Sequence, residues 1–133
     1  MSRYWIPALF LLASLAAASS AAAKWERDSR GVLLAIARAP RKARAWKNPY
    51  VGDPRAILAG RKLFLQHCAE CHGEDARGGR HAANLHMPDV QRATPGELEW
   101  LLWNGNIAAG MPSWSGLPEQ RRWQIVAYLR SLR

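Results

Sequence analysis

The chain has 133 residues, of which 49% are hydrophobic and 22% charged, with two cysteines, seven tryptophans and a formal net charge of +9. That length holds one small domain with accessories and excludes two independent cores. The basic excess restricts partners to an acidic protein, an anionic lipid surface or nucleic acid.

Residues 1–23 run from Arg3 through an apolar stretch into Ala21, Ala22 and Ala23. This is the order of a secretory signal peptide, with cleavage expected after about Ala23. The alternative is an uncleaved membrane anchor, because residues 5–23 approach the roughly 20 residues that span a bilayer. Either way the remainder is expected to be periplasmic or otherwise exported, which makes nucleic acid the least favoured partner. Residues 1–23 contain only Arg3, so the net charge without them is +8. Residues 24–62 hold 11 basic and 3 acidic side chains, whereas residues 63–133 hold 7 of each. A basic arm thus precedes a charge-balanced domain. The arm suits docking to an acidic partner face, and it or residues 1–23 could bring the chain to a membrane.

Residues 24–53 read as this extension: a short helix near 30–37 around Val32, Leu33, Leu34 and Ile36, then an extended linker broken at Pro40 and Pro49. Asp53-Pro54 starts the first firm helix, with a capping acceptor followed by a proline whose missing N–H costs nothing there. Ile57, Leu58, Leu63, Phe64 and Leu65 recur at near-helical spacing up to about Cys68, and Gly60 clears space for a second helix to approach. Residues 73–93 lack a period and read as loop. Thr94-Pro95-Gly96-Glu97 is a capping box opening a helix through about Trp103, which Asn104-Gly105 ends. Residues 107–116 form a second loop. A last helix runs from near Pro118 with Trp123, Ile125, Val126, Tyr128, Leu129 and Leu132 as its apolar stripe. No segment alternates with period two, so the domain, 54–133, is expected to be all-α. About 80 residues make a poor core alone, and a bound cofactor would staple it.

Both cysteines fall in Cys68-Ala69-Glu70-Cys71-His72, the spacing of c-type haem attachment. Two thiols three residues apart can add to the two vinyl groups of one porphyrin, and the next residue then offers its imidazole to the iron. A thioredoxin-like reading needs a preceding strand, and a Cys68–Cys71 disulfide would close too short a loop to stabilise much. Zinc is the serious competitor, since Cys68, Cys71, His81 and His86 approach finger spacing. It leaves His72 and Met111 without a role. For the second axial position a methionine raises the reduction potential. Met87 lies 15 residues past His72 and cannot easily wrap round the porphyrin edge; Met111 lies 39 past it, in a Gly-Met-Pro loop, and is the expected ligand. His81 and His86 are alternative ligands only if Met111 fails. His67 reads as packed or solvent-facing, and Trp114 as either haem wall or core.

Ala59-Gly60, Leu63-Phe64, the Cys68–His72 motif, Asn84-Leu85, Gly110-Met111-Pro112-Ser113-Trp114 and Ile125-Val126-Ala127-Tyr128-Leu129 together resemble a class I cytochrome c over residues 54–133. The resemblance implies a small fold whose N- and C-terminal helices cross beside one covalently bound haem c, with Gly60 and Phe64 against Ile125 and Tyr128, and Leu85 on the porphyrin. Family members often place a proline before the Asn-Leu pair, whose carbonyl orients the proximal histidine; here Ala83 stands there. The implied function is single-electron transfer between redox partners, without catalysis. The alternatives are a haem subunit docked to or anchored with an exported dehydrogenase or oxidase, a haem enzyme or sensor with an open iron site, and a zinc-stabilised binding module.

Overall fold

The computed structural model describes the backbone of residues 6–79 and 82–133, with side chains from residue 20 onward. Among these residues seven helices follow in order: α1 (Ile6–Ala37), α2 (Arg41–Arg44), α3 (Pro54–His67), α4 (Ala69–His72), α5 (Pro88–Arg92), α6 (Pro95–Asn104) and α7 (Glu119–Arg130), with a 3₁₀ turn at Ile107–Ala109. Among the described residues there is no strand, only an isolated bridge between Asn106 and Met111. The domain is all-α, as its lack of period-two patterning requires.

The two most predictable helix starts form as their chemistry dictates. The Asp53 side chain accepts from Arg55 N–H at 2.9 Å, with Pro54 first in α3. At α6 the capping box closes in both directions, Glu97 N–H donating to Thr94 Oγ1 at 3.2 Å and Thr94 N–H to Glu97 Oε2 at 2.7 Å.

The core is the crossing of α3 over α7. A Cβ on Gly60 would stand 1.9 Å from the Gln124 carbonyl oxygen, so only glycine lets the two backbones meet there. One turn on, the Phe64 and Tyr128 rings pack at 5.3 Å between centroids, and Phe64, Ile125 and Val126 are fully buried. Burying each such side chain is worth about 1.5–3 kcal/mol. This crossing carries most of the small core and sets the direction in which the end of α3 points.

Four segments differ from the sequence expectation. The helix expected near 30–37 is the end of the much longer α1, which passes through position 23 without a break. The stretch read as an extended linker contains α2, a single turn following Pro40 with its extended backbone (ψ 153°). The loop read over 73–93 contains the five-residue α5, opened by Pro88, and the loop after α6 begins with the 3₁₀ turn. Elements of three to five residues show no periodicity, which is why pattern reading misses them. Among the described residues no helix is long and apolar enough to cross a membrane.

The arm packs on the domain. A Cβ on Gly96 would fall 1.9 Å from the carbonyl oxygen of Ala43, which is fully buried between α2 and α6. Ser29 donates its hydroxyl to Asp89 of α5, and buried Asn48 donates to the Trp123 carbonyl at 3.0 Å. Ala35, Ile36 and Ala39 complete the seam.

Between α6 and α7 lies a buried ion pair, Arg122 Nε to Glu99 Oε1 at 2.7 Å, with the residues only 3% and 4% exposed. Arg122 also donates to the Leu117 carbonyl and stacks over Trp103 at 4.6 Å. Burial pushes the Glu99 carboxyl above its ordinary range, and Arg122 pulls it back down. Glu99 Oε2 has no hydrogen-bond partner among the described residues. Replacing Arg122 with Met therefore leaves a buried carboxylate alone and is expected to cost about 3 kcal/mol near neutral pH. Without Arg122, Glu99 is raised further, so the folded state takes up a proton before the unfolded chain does. The deficit then narrows as pH falls toward the carboxylate range. Urea unfolding of both proteins at several pH values measures it; a deficit that does not change with pH would assign the loss to packing alone.

Candidate functional site

The Cys68–His72 motif straddles the end of α3. Cys68 N–H donates to the Phe64 carbonyl at 2.8 Å, closing α3, and the Cys68 carbonyl then accepts from His72 N–H at 2.9 Å, opening the single turn α4. Cys68 and His72 are four apart on that turn and share one face. Gly73, at φ 77°, ends it. No disulfide joins the two cysteines, Cys68 being half-buried and Cys71 exposed. Burial, with the neighbouring Cys71, pushes the Cys68 thiol up to about 11.

His72 is half-buried, and its Nδ1 lies 2.9 Å from the Ala83 carbonyl oxygen. Burial lowers its proton affinity, and the Ala83 hydrogen bond partly restores it. A carbonyl only accepts, so Nδ1 carries the proton and donates it, which leaves Nε2 with a free lone pair. This is the arrangement a metal-ligating histidine needs, its other nitrogen fixed by a hydrogen bond. The donor set thus fits a haem attached through the two thiols.

Ala83 performs the carbonyl role without a proline because the loop is held in other ways. Gly78, at φ 81°, donates to the His72 carbonyl at 2.7 Å, and a Cβ there would stand 2.7 Å from Ala82 O and Asn84 N. Gly79 N–H donates to the Ala82 carbonyl at 3.1 Å and Leu85 N–H to that of Ala76 at 2.8 Å. Sequence reading passed over Gly78; a glycine six residues past the motif histidine was the available signal.

Met111 sits in a small closed loop. Asn106 N–H donates to the Met111 carbonyl at 2.9 Å and Met111 N–H to that of Asn106 at 3.1 Å. Gly105, at φ 70°, lies against Pro112, where a Cβ would come within 2.6 Å of the backbone. Trp114 N–H donates to the Leu102 carbonyl at 2.8 Å, tying the loop to α6. Met111 is half-buried and packs on the same apolar cluster as Cys68, Leu63, Leu85, Trp114 and Leu117. Met87 is instead 3% exposed, a core residue beside Val90.

The remaining candidates separate. The His67 ring packs on Trp114 at 5.4 Å between centroids. Both ring nitrogens of His86 face backbone carbonyls. His81 lies outside the described residues. Among the described residues no three His, Cys, Asp or Glu side chains come together as a metal-binding group. A surface groove of about 920 Å³ lies between the arm, α6 and α7 and includes neither the motif residues nor Met111.

The chain resembles known proteins in sequence and in fold. The family model described as cytochrome C oxidase, cbb3-type, subunit III matches residues 55–129. The chain is 33% identical over 84 residues to the cbb3-type cytochrome c oxidase subunit CcoP of Rubrivivax gelatinosus, a match covering 60% of this chain and 27% of that protein. It is 28% identical over 128 residues to cytochrome c550 of Pseudomonas aeruginosa, covering 91% of this chain and 86% of that one. The crystal structure of cytochrome cL from Methylophaga aminisulfidivorans superposes with a TM-score of 0.56 at 28% identity, over 64% of this chain and 58% of that one. The chain thus spans about a quarter of the CcoP relative.

The two loop glycines beside Met111 allow a direct check of how the loop is held. Gly105→Ala meets Pro112 backbone in a left-handed conformation and is expected to cost about 3 kcal/mol. Gly110→Ala, at φ 84° with nothing within 4 Å, is expected to cost only about 1 kcal/mol. Denaturant unfolding distinguishes them, and equal costs would show that the Pro112 contact does not constrain the loop.

Proposed function

The chain belongs to the family of cytochrome C oxidase, cbb3-type, subunit III, and from that membership we propose an exported c-type cytochrome with one haem that passes single electrons between protein partners. The observation that carries the reading is the placement of Cys68, Cys71 and His72 on one turn, with His72 Nδ1 spent on Ala83 and Nε2 free.

In this reading residues 54–133 are the haem domain. Cys68 and Cys71 would hold the haem covalently through their sulfurs, and His72 Nε2 and the Met111 sulfur would ligate its iron. The haem supplies a one-electron ferric–ferrous couple. The Ala83 carbonyl holds the His72 ring in one tautomer and orientation, so little about the ligand need change between oxidation states. Leu63, Leu85, Trp114 and Leu117 form an apolar surround that limits water at the site. Ligation by both His72 and Met111 would leave no open position for a substrate, which favours a carrier over a catalyst.

The spectrum tests the ligand set. Protein expressed with a cytochrome maturation system is expected to show the sharp reduced bands of c-type haem and a weak long-wavelength sulfur-to-iron band when oxidised. Met111→Ala is expected to lose that band and lower the reduction potential. Met87→Ala should keep the band while costing about 3 kcal/mol of stability, because it empties a core position. Loss of the band in Met87→Ala alone would reverse the assignment.

Resemblance to an oxidase subunit supports a second reading, in which the chain works docked in a larger exported oxidoreductase. The arm is the segment available for docking. Arg27, Arg41, Lys42 and Lys47 are exposed and make no ion pair among the described residues, whereas Arg44 pairs with Glu97 at 3.2 Å. Docking to an acidic face predicts that the second-order electron-transfer rate with an acidic partner falls at least tenfold from low to high ionic strength. Arg41→Glu with Lys42→Glu should remove most of that dependence; a rate indifferent to salt and to both substitutions would rule the arm out.

A further inference from the structure

His86 is tied to two distant parts of the chain and has no part in the ligand set. Its own N–H donates to Asn84 Oδ1 at 2.8 Å, which seats the residue at the end of the loop that carries Ala83. Ring Nε2 lies 2.9 Å from the carbonyl oxygen of Asp75, at the start of that loop. Ring Nδ1 lies 3.2 Å from the carbonyl oxygen of Leu132, just beyond the end of α7.

Both partners are acceptors and nothing else. A neutral imidazole carries one N–H, so its second nitrogen would set a lone pair against a carbonyl lone pair. Only the imidazolium donates to both. The Leu132 carbonyl also lies where α7 leaves unpaired carbonyls and partial negative charge, a setting that favours a cation.

The loop has reason to need an outside hold. Ala76, fully buried, sits at φ 59°, the only non-glycine residue with positive φ among the described residues. Such a conformation persists only where surrounding contacts over-determine it. His86 holds the residue before it, and Leu85 N–H holds its own carbonyl.

The charged groups on the segments around His86 are few and mostly engaged. Asp75 accepts from Arg77 N–H at 3.1 Å and faces its guanidinium at 3.6 Å. Arg130 and Arg133 donate to the Gln91 carbonyl at 2.6 and 3.0 Å. On α5, Asp89 is held by Ser29 and by Arg92 at 2.8 Å.

We infer that His86, as an imidazolium, clamps the loop at Asp75 to the end of α7, positions the Ala83 carbonyl that orients His72, and gives up one of the two contacts when it loses a proton. The clamp is a property of the protein; only its consequence at the iron rests on the proposed haem reading. Because the second contact needs the second ring N–H, the loop's hold would follow the protonation of that ring.

The test is NMR of the ¹⁵N-labelled haem-loaded protein over a pH series, reading the His86 ring nitrogens and amide exchange at Gly78 and Leu85, corrected for intrinsic exchange. At the acid end both ring nitrogens should carry protons; at the alkaline end one should have lost its proton, with protection of the two amides falling about tenfold in parallel, the value of one charge-assisted hydrogen bond. His86→Gln should show the weaker protection at every pH. A single ring N–H throughout, or a pH dependence that survives in His86→Gln, would overturn the clamp. Absence of haem from the absorption spectrum would instead defeat the haem reading, and the same ring and exchange signals would still decide the clamp.

Discussion

The contact between the backbones of α3 and α7 at Gly60 sets the geometry from which the site is built. With no side chain between Gly60 and the Gln124 carbonyl, Phe64 can reach Tyr128, and α3 ends where Cys68 and His72 share one face. A methyl group at position 60 would push α3 away from α7 and move the motif with it. The core is too small to absorb such a shift, since its fully buried large side chains are Phe64, Ile125 and Val126. Packing and chemistry are therefore coupled through one missing Cβ.

Around this crossing, two loops are shaped by backbone rather than side-chain contacts. Gly78 lies against the Ala82–Asn84 backbone and Gly105 against Pro112. Each fixes one side of the proposed site: the Ala83 carbonyl beside His72, and the Met111 side chain at the edge of the shared apolar cluster. Backbone contact is a rigid way to hold a small site, because it leaves no rotamer to search. It also explains how Ala83 can stand where a proline is common. The stiffness a proline would bring to its own residue is supplied by the glycine it packs against.

How much of this was legible in the sequence follows from the range of each interaction. Asp53-Pro54 and Thr94-Pro95-Gly96-Glu97 were readable because a cap is complete within four residues. The Cys68–His72 motif and the α3 and α7 stripes were readable for the same reason, and the all-α class and cytochrome family followed from them. The structure then matched the expected meeting of Gly60 and Phe64 with the last helix. The packing of α2 on α6 was hidden, because it depends on Ala43 meeting Gly96 across more than fifty residues and neither is distinctive alone. Asn48 reaching the Trp123 carbonyl was hidden in the same way. Two methionines were visible, but only burial shows that Met87 is core while Met111 remains half-exposed at the cluster's edge.

The arm shows why charge and packing have to be read together. By composition it is a basic extension, and such segments are often loose. Here it is fastened at Ser29, Ala43 and Asn48, so its cations are carried on a frame fixed relative to the domain. A fixed charge distribution orients an approaching partner as well as attracting it, whereas a loose one only attracts. The family match spans residues 55–129, the part of the chain to which this frame is fastened. The domain itself, charge-balanced over residues 63–133, contributes little steering of its own. On the proposed reading, steering of a partner would therefore reside in the arm, and electron exchange in the domain on which the arm is built.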